Sequence, residues 1–276
     1  MKKLFISADI EGVACISASV EVDKAHPAEY GPFQQQMTAE VAAACAGAWA
    51  AGVESIVIKD AHWTARNIDP HQLAVPAGKE LQLIRGWSGH PFAMVQGLDE
   101  SFDAVAFIGY HSAGGCGGNP LAHTVSSRAF ARVELNGRTA SECLIYAYAA
   151  ASVGVPLVFL SGDKQLCDES MGLINGLHTV ATLQGFGASV QSILPAEAAK
   201  RIQSGVQAAV ESAARGPDVV PLALPEAFTF KLCFNKASDA YAKSFFPHVR
   251  QVSHTELVLE TQRYFDVLTF LWFAAQ

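Results

Sequence analysis

The chain has 276 residues and a mass of 29.3 kDa; half of its residues are hydrophobic and only 16% are charged, against about 25% in average domains. A net charge of −7 has the wrong sign for a protein that binds a phosphate backbone, so we expect no nucleic-acid partner. The low charge content and the mean hydropathy of +0.21 exclude intrinsic disorder and predict much buried surface, some of it between subunits.

The six cysteines include no C-x-x-C pair, so we expect reduced, mostly buried thiols rather than a disulfide scaffold or a thiolate zinc site. Two lysines near the N-terminus precede an apolar stretch, but Asp9 interrupts it too early for a signal peptide. The uncharged stretch 143–160 is cut by Gly154 and Pro156, which favours a helix and a buried strand over a membrane span. We therefore expect a cytoplasmic protein without a membrane partner.

Strand and helix patterns alternate through the first two thirds of the chain. After a loop that includes Gly31 and Pro32, apolar residues at i, i+4 spacing between Met37 and Trp49 predict a helix. An alanine-rich helix is predicted over 142–152, and Asn136-Gly137 predicts a hairpin turn before it. Four short apolar runs predict strands over 4–10, 55–60, 104–109 and 156–160. Such strands, separated by helices, are typical of a parallel sheet covered on both faces.

The last third of the chain changes character. A helix is predicted over Pro195–Arg215, because proline stands at its start and Gly216-Pro217 follows its end. The proline-rich segment 218–225 resembles a linker, and 228–276 predicts a strand and a C-terminal helix. The expected fold is α/β, a mostly parallel sheet covered by helices, with a larger domain over 1–217 and a smaller C-terminal α+β lobe over 218–276.

Ionisable residues follow each of the four predicted strands. In open parallel sheets, ligands bind beyond the carboxyl ends of the strands, so residues that follow different strands meet at one edge. The residues in question are Asp9 and Glu11, Asp60 and His62, Tyr110 and His111, and Asp163 and Lys164. A lone Asp or His in such a position is more often a solvated loop residue than a site residue, but the coincidence of four such positions on one edge favours a site.

Two carboxylates held as close as Asp9 and Glu11 repel each other unless a proton or a cation lies between them. With His62 and His111 brought in from neighbouring strands, a divalent metal is the simplest solution. Oxygen and imidazole ligands without thiolate suit catalytic zinc or manganese, and a further carboxylate permits two ions.

Two further residues are candidates for this edge. His123 ends a glycine-rich loop that begins after His111; the loop permits close backbone approach or lid motion, and His123 is equally consistent with a surface position or a proton-transfer role. Glu142 begins the alanine-rich helix, where it is either a first-turn glutamate that favours the helix dipole or a metal ligand at the mouth of a buried element.

Together these motifs resemble peptidase family M55, the D-aminopeptidases. The segments that carry the resemblance are Ser7-Ala8-Asp9-Ile10-Glu11-Gly12, Asp60-Ala61-His62, Gly109-Tyr110-His111, the later His123, and Ser141-Glu142. The resemblance implies a binuclear zinc aminopeptidase, with Mn²⁺ or Co²⁺ as alternative metals, that releases N-terminal D-amino acids from short peptides such as D-Ala-D-Ala. It also implies a ring-shaped homodecamer of two stacked pentamers.

By the same resemblance, Asp9 corresponds to the carboxylate shared by both ions. Glu11 and His111 correspond to the other ligands of one ion, His62 and Glu142 to those of the second, and His123 to the catalytic histidine. Cys15 stands where the family signature has glycine, and the glycine-rich loop differs in composition, with one residue inserted before His123. These departures concern substrate choice more than metal binding.

Two rival functions remain at this point. Paired ions and a glycine-rich loop also suit a two-metal phosphatase or phosphodiesterase. A non-catalytic peptide-binding ring protein with a vestigial site would bind peptide without turnover. For the aminopeptidase, we expect Asp163 to pair with the free amine of the substrate.

Overall fold

The computed structural model describes residues 1–216 and 219–276, which form twelve strands and six α-helices. The strands are β1 Lys3–Ala8, β2 Ser55–Asp60, β3 Glu80–Ile84, β4 Ala104–Tyr110, β5 Phe130–Leu135, β6 Arg138–Thr139, β7 Leu157–Asp163, β8 His178–Phe186, β9 Ser189–Ser192, β10 Phe228–Phe234, β11 Val249–Gln251 and β12 Glu256–Thr261. The α-helices are α1 Pro27–Ala50, α2 Glu142–Ser152, α3 Lys164–Met171, α4 Pro195–Arg215, α5 Ala237–Lys243 and α6 Tyr264–Ala274.

A seven-stranded sheet forms the centre of the molecule, in the order β3-β2-β1-β4-β7-β8-β9. Every neighbouring pair is parallel except β8 and β9, which form an antiparallel edge. β1 lies between β2 and β4, so that Leu4 is level with Ile56 on one side and Ala104 on the other. This confirms the predicted mostly parallel sheet and places the carboxyl ends of β1, β2 and β4 side by side.

Helices cover both faces of this sheet. Side chains alternate along β1, so Leu4 and Ile6 enter one hydrophobic cluster and Phe5 enters another. The first cluster includes residues of α1 and α4, and the second includes residues of α2, α6 and the second sheet. Because both faces are buried, the central strands consist of nearly continuous apolar residues.

The second sheet is antiparallel, with strand order β11-β12-β10-β5-β6. Its β5–β6 hairpin turns at Asn136 and Gly137, whose φ values of 50° and 76° are those expected of an Asn-Gly hairpin turn. The hairpin belongs to the predicted first domain yet pairs with β10 of the C-terminal lobe. The predicted boundary between residues 217 and 218 lies outside the described residues, so the two-domain division stays a prediction.

Several elements differ from the sequence expectation, which also gives no bounds for α3, α5, β8, β9, β11 or β12. α1 begins at Pro27 and includes Gly31 and Pro32, which were expected in a loop. Pro32 is the sixth residue of the helix, so its missing N–H removes a single hydrogen bond near the N-terminal end, which the helix tolerates. β3 was not predicted, because its side chains are at most partly buried and give a weak pattern at the edge of the sheet. No helix among the described residues is long and apolar enough to cross a bilayer.

Candidate metal centre

Three neighbouring strand ends deliver the first site residues. Asp9 follows β1, His62 follows β2 and His111 follows β4. After Asp9 the chain turns rather than continuing extended, with Val13 N–H donating to Ile10 and Gly12 N–H donating to the Gly109 carbonyl. The turn brings Glu11 back beside Asp9.

The carboxylates and imidazoles lie within a few ångströms of one another. His62 Nδ1 is 3.3 Å from Asp9 Oδ1 and 3.1 Å from Glu11 Oε2. His111 Nε2 is 3.6 Å both from Asp9 Oδ2 and from Glu142 Oε2. Asp9 therefore lies between two sets of ligand atoms, one with Glu11 and His62 and the other with His111 and Glu142.

His123 completes the cluster from the loop that follows His111. Its Nε2 is 3.9 Å from Glu142 Oε1, and its ring stacks on His111 with centroids 4.5 Å apart. With Glu11 and His111 it forms a third set of adjacent ligand atoms. The structure thus brings together the six residues that the family resemblance assigns to the metal site and its catalytic histidine.

Backbone carbonyls orient all three imidazoles. His62 Nε2 lies 2.9 Å from the Val22 carbonyl, His111 Nδ1 lies 2.9 Å from that of Ser112, and His123 Nδ1 lies 2.9 Å from that of Leu121. A carbonyl only accepts, so each of these ring nitrogens carries the hydrogen. When the ring is neutral, as a metal ligand must be, its other nitrogen directs a lone pair at the carboxylates.

This arrangement leaves buried acceptors without donors. Glu11 Oε2 and His111 Nε2 are buried and have no hydrogen-bond partner. Burial, and then the charge of Glu11, raise the pKa of Asp9 well above its usual value. Burial opposes ionisation of Glu11, but a protonated His62 imidazole outweighs it and holds the pKa of Glu11 well below its usual value. Against the effect of burial, Glu11 and Asp9 in turn raise the pKa of His62 well above its usual value. Carboxylate oxygens and imidazole nitrogens that face one another this closely are stabilised by a cation between them. The donor set therefore fits divalent metal ions.

Asp60, which the sequence places at the sheet edge, and two asparagines that it does not mark hold the cluster in place. Asp60 accepts hydrogen bonds from the backbone N–H groups of Asn67 and Ile68, and the Asn67 amide bridges Asp60 to the His62 carbonyl. The Asn119 amide donates to the Glu11 carbonyl. No local sequence pattern marks Asn67, because its partners lie five and seven residues away across a loop.

Asp163 has a different position from the one expected. It is fully buried, accepts from the N–H and hydroxyl of Ser112, and caps α3 through the Leu166 N–H. With its oxygens bonded within the chain, it supports the segment after His111 and is not placed to meet a substrate amine. The glycine-rich loop is packed at Gly118, where a Cβ would lie 2.4 Å from Ser112 Oγ, and open at Gly115 and Gly117.

A cavity of about 1080 Å³ opens beside the cluster. Asp9, Glu11, His62, His123 and Glu142 all contribute to its lining. This volume accommodates a small peptide, since ligand pockets commonly measure about 300–1,000 Å³.

Comparison with known proteins places this chain in a family. The family model of peptidase M55, D-aminopeptidase, matches residues 1–273. The chain belongs to this family. A D-aminopeptidase of Bacillus subtilis (strain 168) is 29% identical over 227 residues, which cover 81% of this chain and 78% of that protein.

A solved structure agrees with the fold of this M55 chain. It is the Zn-dependent D-aminopeptidase DppA from Bacillus subtilis, described as a self-compartmentalizing protease. The two share 23% sequence identity with a TM-score of 0.89, and the match covers 99% of this chain and 96% of that one. Membership of M55 makes the chain a peptide-bond hydrolase, as the resemblance of its motifs predicted.

Proposed function

We propose that the chain is a binuclear zinc aminopeptidase that releases N-terminal D-amino acids from short peptides such as D-Ala-D-Ala. The observation that carries the proposal is the convergence of three carboxylates with three imidazoles, each of which turns the ring nitrogen not bonded to a backbone carbonyl toward them. The Zn dependence of the solved relative supports zinc as the metal, and the family description supports the D-amino acid preference. Mn²⁺ and Co²⁺ suit the same ligands.

Asp9 would hold both ions, because it belongs to two sets of adjacent ligand atoms. The distances favour Glu11 and His62 as the remaining ligands of one ion, and His111 and Glu142 as those of the other. This pairing differs from the one that the motif resemblance implies, in which Glu11 accompanies His111. When bound, such ions supply Lewis acidity, which polarises the scissile carbonyl and lowers the pKa of a water molecule.

His123 is proposed to move the proton. Its Nδ1–H is committed to the Leu121 carbonyl, which leaves Nε2 free to accept a proton from the attacking water. Nε2 then returns that proton to the leaving amine. Glu142 Oε1 accepts the Val125 N–H, so the carboxylate nearest His123 is itself held in position.

The first prediction concerns Asp9, the one residue common to both proposed ion sites. Asp9→Ala is expected to abolish zinc binding and hydrolysis together, with a loss of more than about a thousandfold in kcat/KM, because one carboxylate serves both ions. Elemental analysis measures the zinc, which should be two ions per wild-type chain, and release of D-alanine from D-Ala-D-Ala measures activity.

The exposed Asp168→Ala on α3 is the matched control and should retain both properties. An Asp9→Ala protein with full zinc and full activity would contradict the proposal. Hydrolysis of nitrophenyl phosphate without hydrolysis of D-peptides would favour a phosphatase instead.

We also propose that the protein is cytoplasmic and forms a homo-oligomer. The description of the solved relative as self-compartmentalizing supports an assembly of copies. The decameric ring follows from the family resemblance.

A further inference from the structure

One side of the cavity is built from tryptophan. Three of the four tryptophans in the chain, Trp63, Trp87 and Trp272, line it beside the metal cluster. We call these three residues the tryptophan wall. They come from three separate parts of the chain: the loop after β2, the loop after β3, and α6. Their convergence therefore belongs to the tertiary structure rather than to any local segment.

Contacts within the chain hold the wall together. Trp87 Nε1 donates to the Trp63 carbonyl at 2.6 Å, and the rings of Trp87 and Trp272 lie 6.1 Å apart. Behind them, the fully buried Lys59 places its Nζ 4.1 Å from the centre of the Trp87 ring and donates to the carbonyls of Asp60 and Gly86. A cation against an indole face is an attractive contact, so Lys59 fixes Trp87 from the protein side.

The wall begins next to the reacting centre. The Trp63 ring lies 6.5 Å, edge to face, from the ring of His62. Trp63 is 59% exposed and has a φ of 40°, a conformation that bulky residues rarely adopt. Such strained residues concentrate at binding sites, where the surrounding structure holds them. Met94 and Leu271 extend the apolar surface of the cavity.

We propose that the tryptophan wall is a side-chain subsite, and that the preferred substrates carry a large apolar or aromatic side chain next to the scissile bond. This deepens the proposed function and rests on it. The exposed Trp63 indole lies close to a site histidine. Covering it with an apolar group of the substrate stabilises the complex, because this removes apolar surface from water. A substrate with only methyl side chains leaves most of the tryptophan wall exposed to water.

The kinetic test compares D-Ala-D-Ala with D-Phe-D-Ala and D-Ala-D-Phe. Wild-type protein is expected to hydrolyse at least one phenylalanine peptide with a kcat/KM about tenfold or more above that of D-Ala-D-Ala, as burial of an aromatic side chain implies. In Trp63→Ala, the ratio of kcat/KM for the phenylalanine peptide to kcat/KM for D-Ala-D-Ala should fall about fivefold or more. Trp272→Phe, which keeps an aromatic ring for packing, should reduce it less.

Trp49→Phe is the matched control, since Trp49 lies on α1 and does not line the cavity, and it should keep the wild-type ratio. Wild-type ratios near one for both phenylalanine peptides, or ratios unchanged in Trp63→Ala, overturn the subsite while leaving the aminopeptidase intact.

A binding measurement separates this inference from the proposed function. Free D-phenylalanine, which has no peptide bond to hydrolyse, is titrated into zinc-supplemented protein by calorimetry, with indole emission as a second signal. We expect it to bind about tenfold more tightly than D-alanine, and we expect Trp63→Ala to remove the difference. If no peptide is hydrolysed but this difference holds, the proposed function fails and the subsite stands. Equal affinities for the two amino acids overturn the subsite whatever the activity.

Discussion

At the scale of single residues, the chemistry depends on which atom of each side chain is free. Each site histidine has one nitrogen bonded to a backbone carbonyl, and this leaves the other nitrogen for the cluster. Asp60 and Asp163 lie at the same edge of the sheet, but their carboxylate oxygens accept hydrogen bonds from backbone N–H groups instead. Residue type alone does not separate these two roles, whereas hydrogen-bond partners do.

Glu40 is a buried acid outside the cluster. It is fully buried on α1; Oε1 accepts from the Ala14 N–H and the Gln36 amide, and Oε2 has no partner. Burial raises the pKa of Glu40 to about 7, above the usual 4.5. The folded protein therefore holds a proton that the unfolded chain releases near pH 4.5. The contribution of protonated Glu40 to the stability of the folded protein is complete below about pH 4.5 and is lost as the pH rises through about 7.

We predict that Glu40→Gln flattens this pH dependence, because glutamine does not ionise. The free energy of unfolding of the variant, relative to wild type, should rise between pH 5 and pH 8 by up to about 3 kcal/mol. Urea denaturation at several pH values measures it. A constant difference between the two proteins across that range would show that Glu40 does not titrate near neutral pH.

At the scale of elements, the strand ends come together because glycines let backbones touch. A Cβ on Gly12 would lie 1.9 Å from the Tyr110 carbonyl oxygen, and one on Gly162 would lie 2.0 Å from the same atom. The carbonyl at the end of β4 is thus enclosed between the turn after β1 and the end of β7. The glycine of the Asp-x-Glu-Gly motif is explained by this contact between strands.

We predict that Gly12→Ala lowers the free energy of unfolding by about 3 kcal/mol, because the added Cβ would clash with the Tyr110 backbone, which cannot move aside as a flexible side chain does. The same change should displace Glu11 and weaken zinc binding. Gly31→Ala is the control, since a Cβ there meets nothing within 4 Å and alanine favours the helix by about 0.5–1 kcal/mol. Thermal denaturation with zinc titration measures both variants. Equal stability of the two would contradict the account of the Gly12 contact.

At the scale of the whole molecule, exposed aromatic side chains mark a surface away from the core. Phe245 is 73% exposed, and Tyr241 and Phe273 are 62% and 54% exposed. Tyr241 and Phe245 pack edge to face with their rings 5.3 Å apart at the end of α5, and Lys243 between them donates to the Phe273 carbonyl. Clustered exposed apolar side chains are typical of protein interfaces.

We predict that this aromatic surface contributes to the proposed assembly of identical chains. Light scattering on the purified protein should give a mass well above the 29.3 kDa of one chain, and ten times that mass for a decamer. Phe245→Glu should shift the mass toward smaller species, because it buries a charge in the interface. Phe186→Glu, at another exposed aromatic position on β8, is the control. A monomeric wild-type protein would refute the assembly.

The sequence by itself determined the elements whose burial is periodic, and with them the edge where the chemistry lies. Helices over Glu142–Ser152 and Pro195–Arg215 and the strand over Ser55–Asp60 have the predicted bounds, because their patterns reflect one local environment. The order of parallel strands then brought Asp9, His62 and His111 to one edge. Motifs along the chain carried the family resemblance.

Only the tertiary structure decided what depends on contacts between distant segments. It turned Asp163 from an expected substrate contact into a helix cap, joined the β5–β6 hairpin to the C-terminal strands, and brought Trp272 of α6 to the metal cluster. Local periodicity encodes how deeply a side chain is buried but not which partner it meets. That partner is set by the packing of all the elements together.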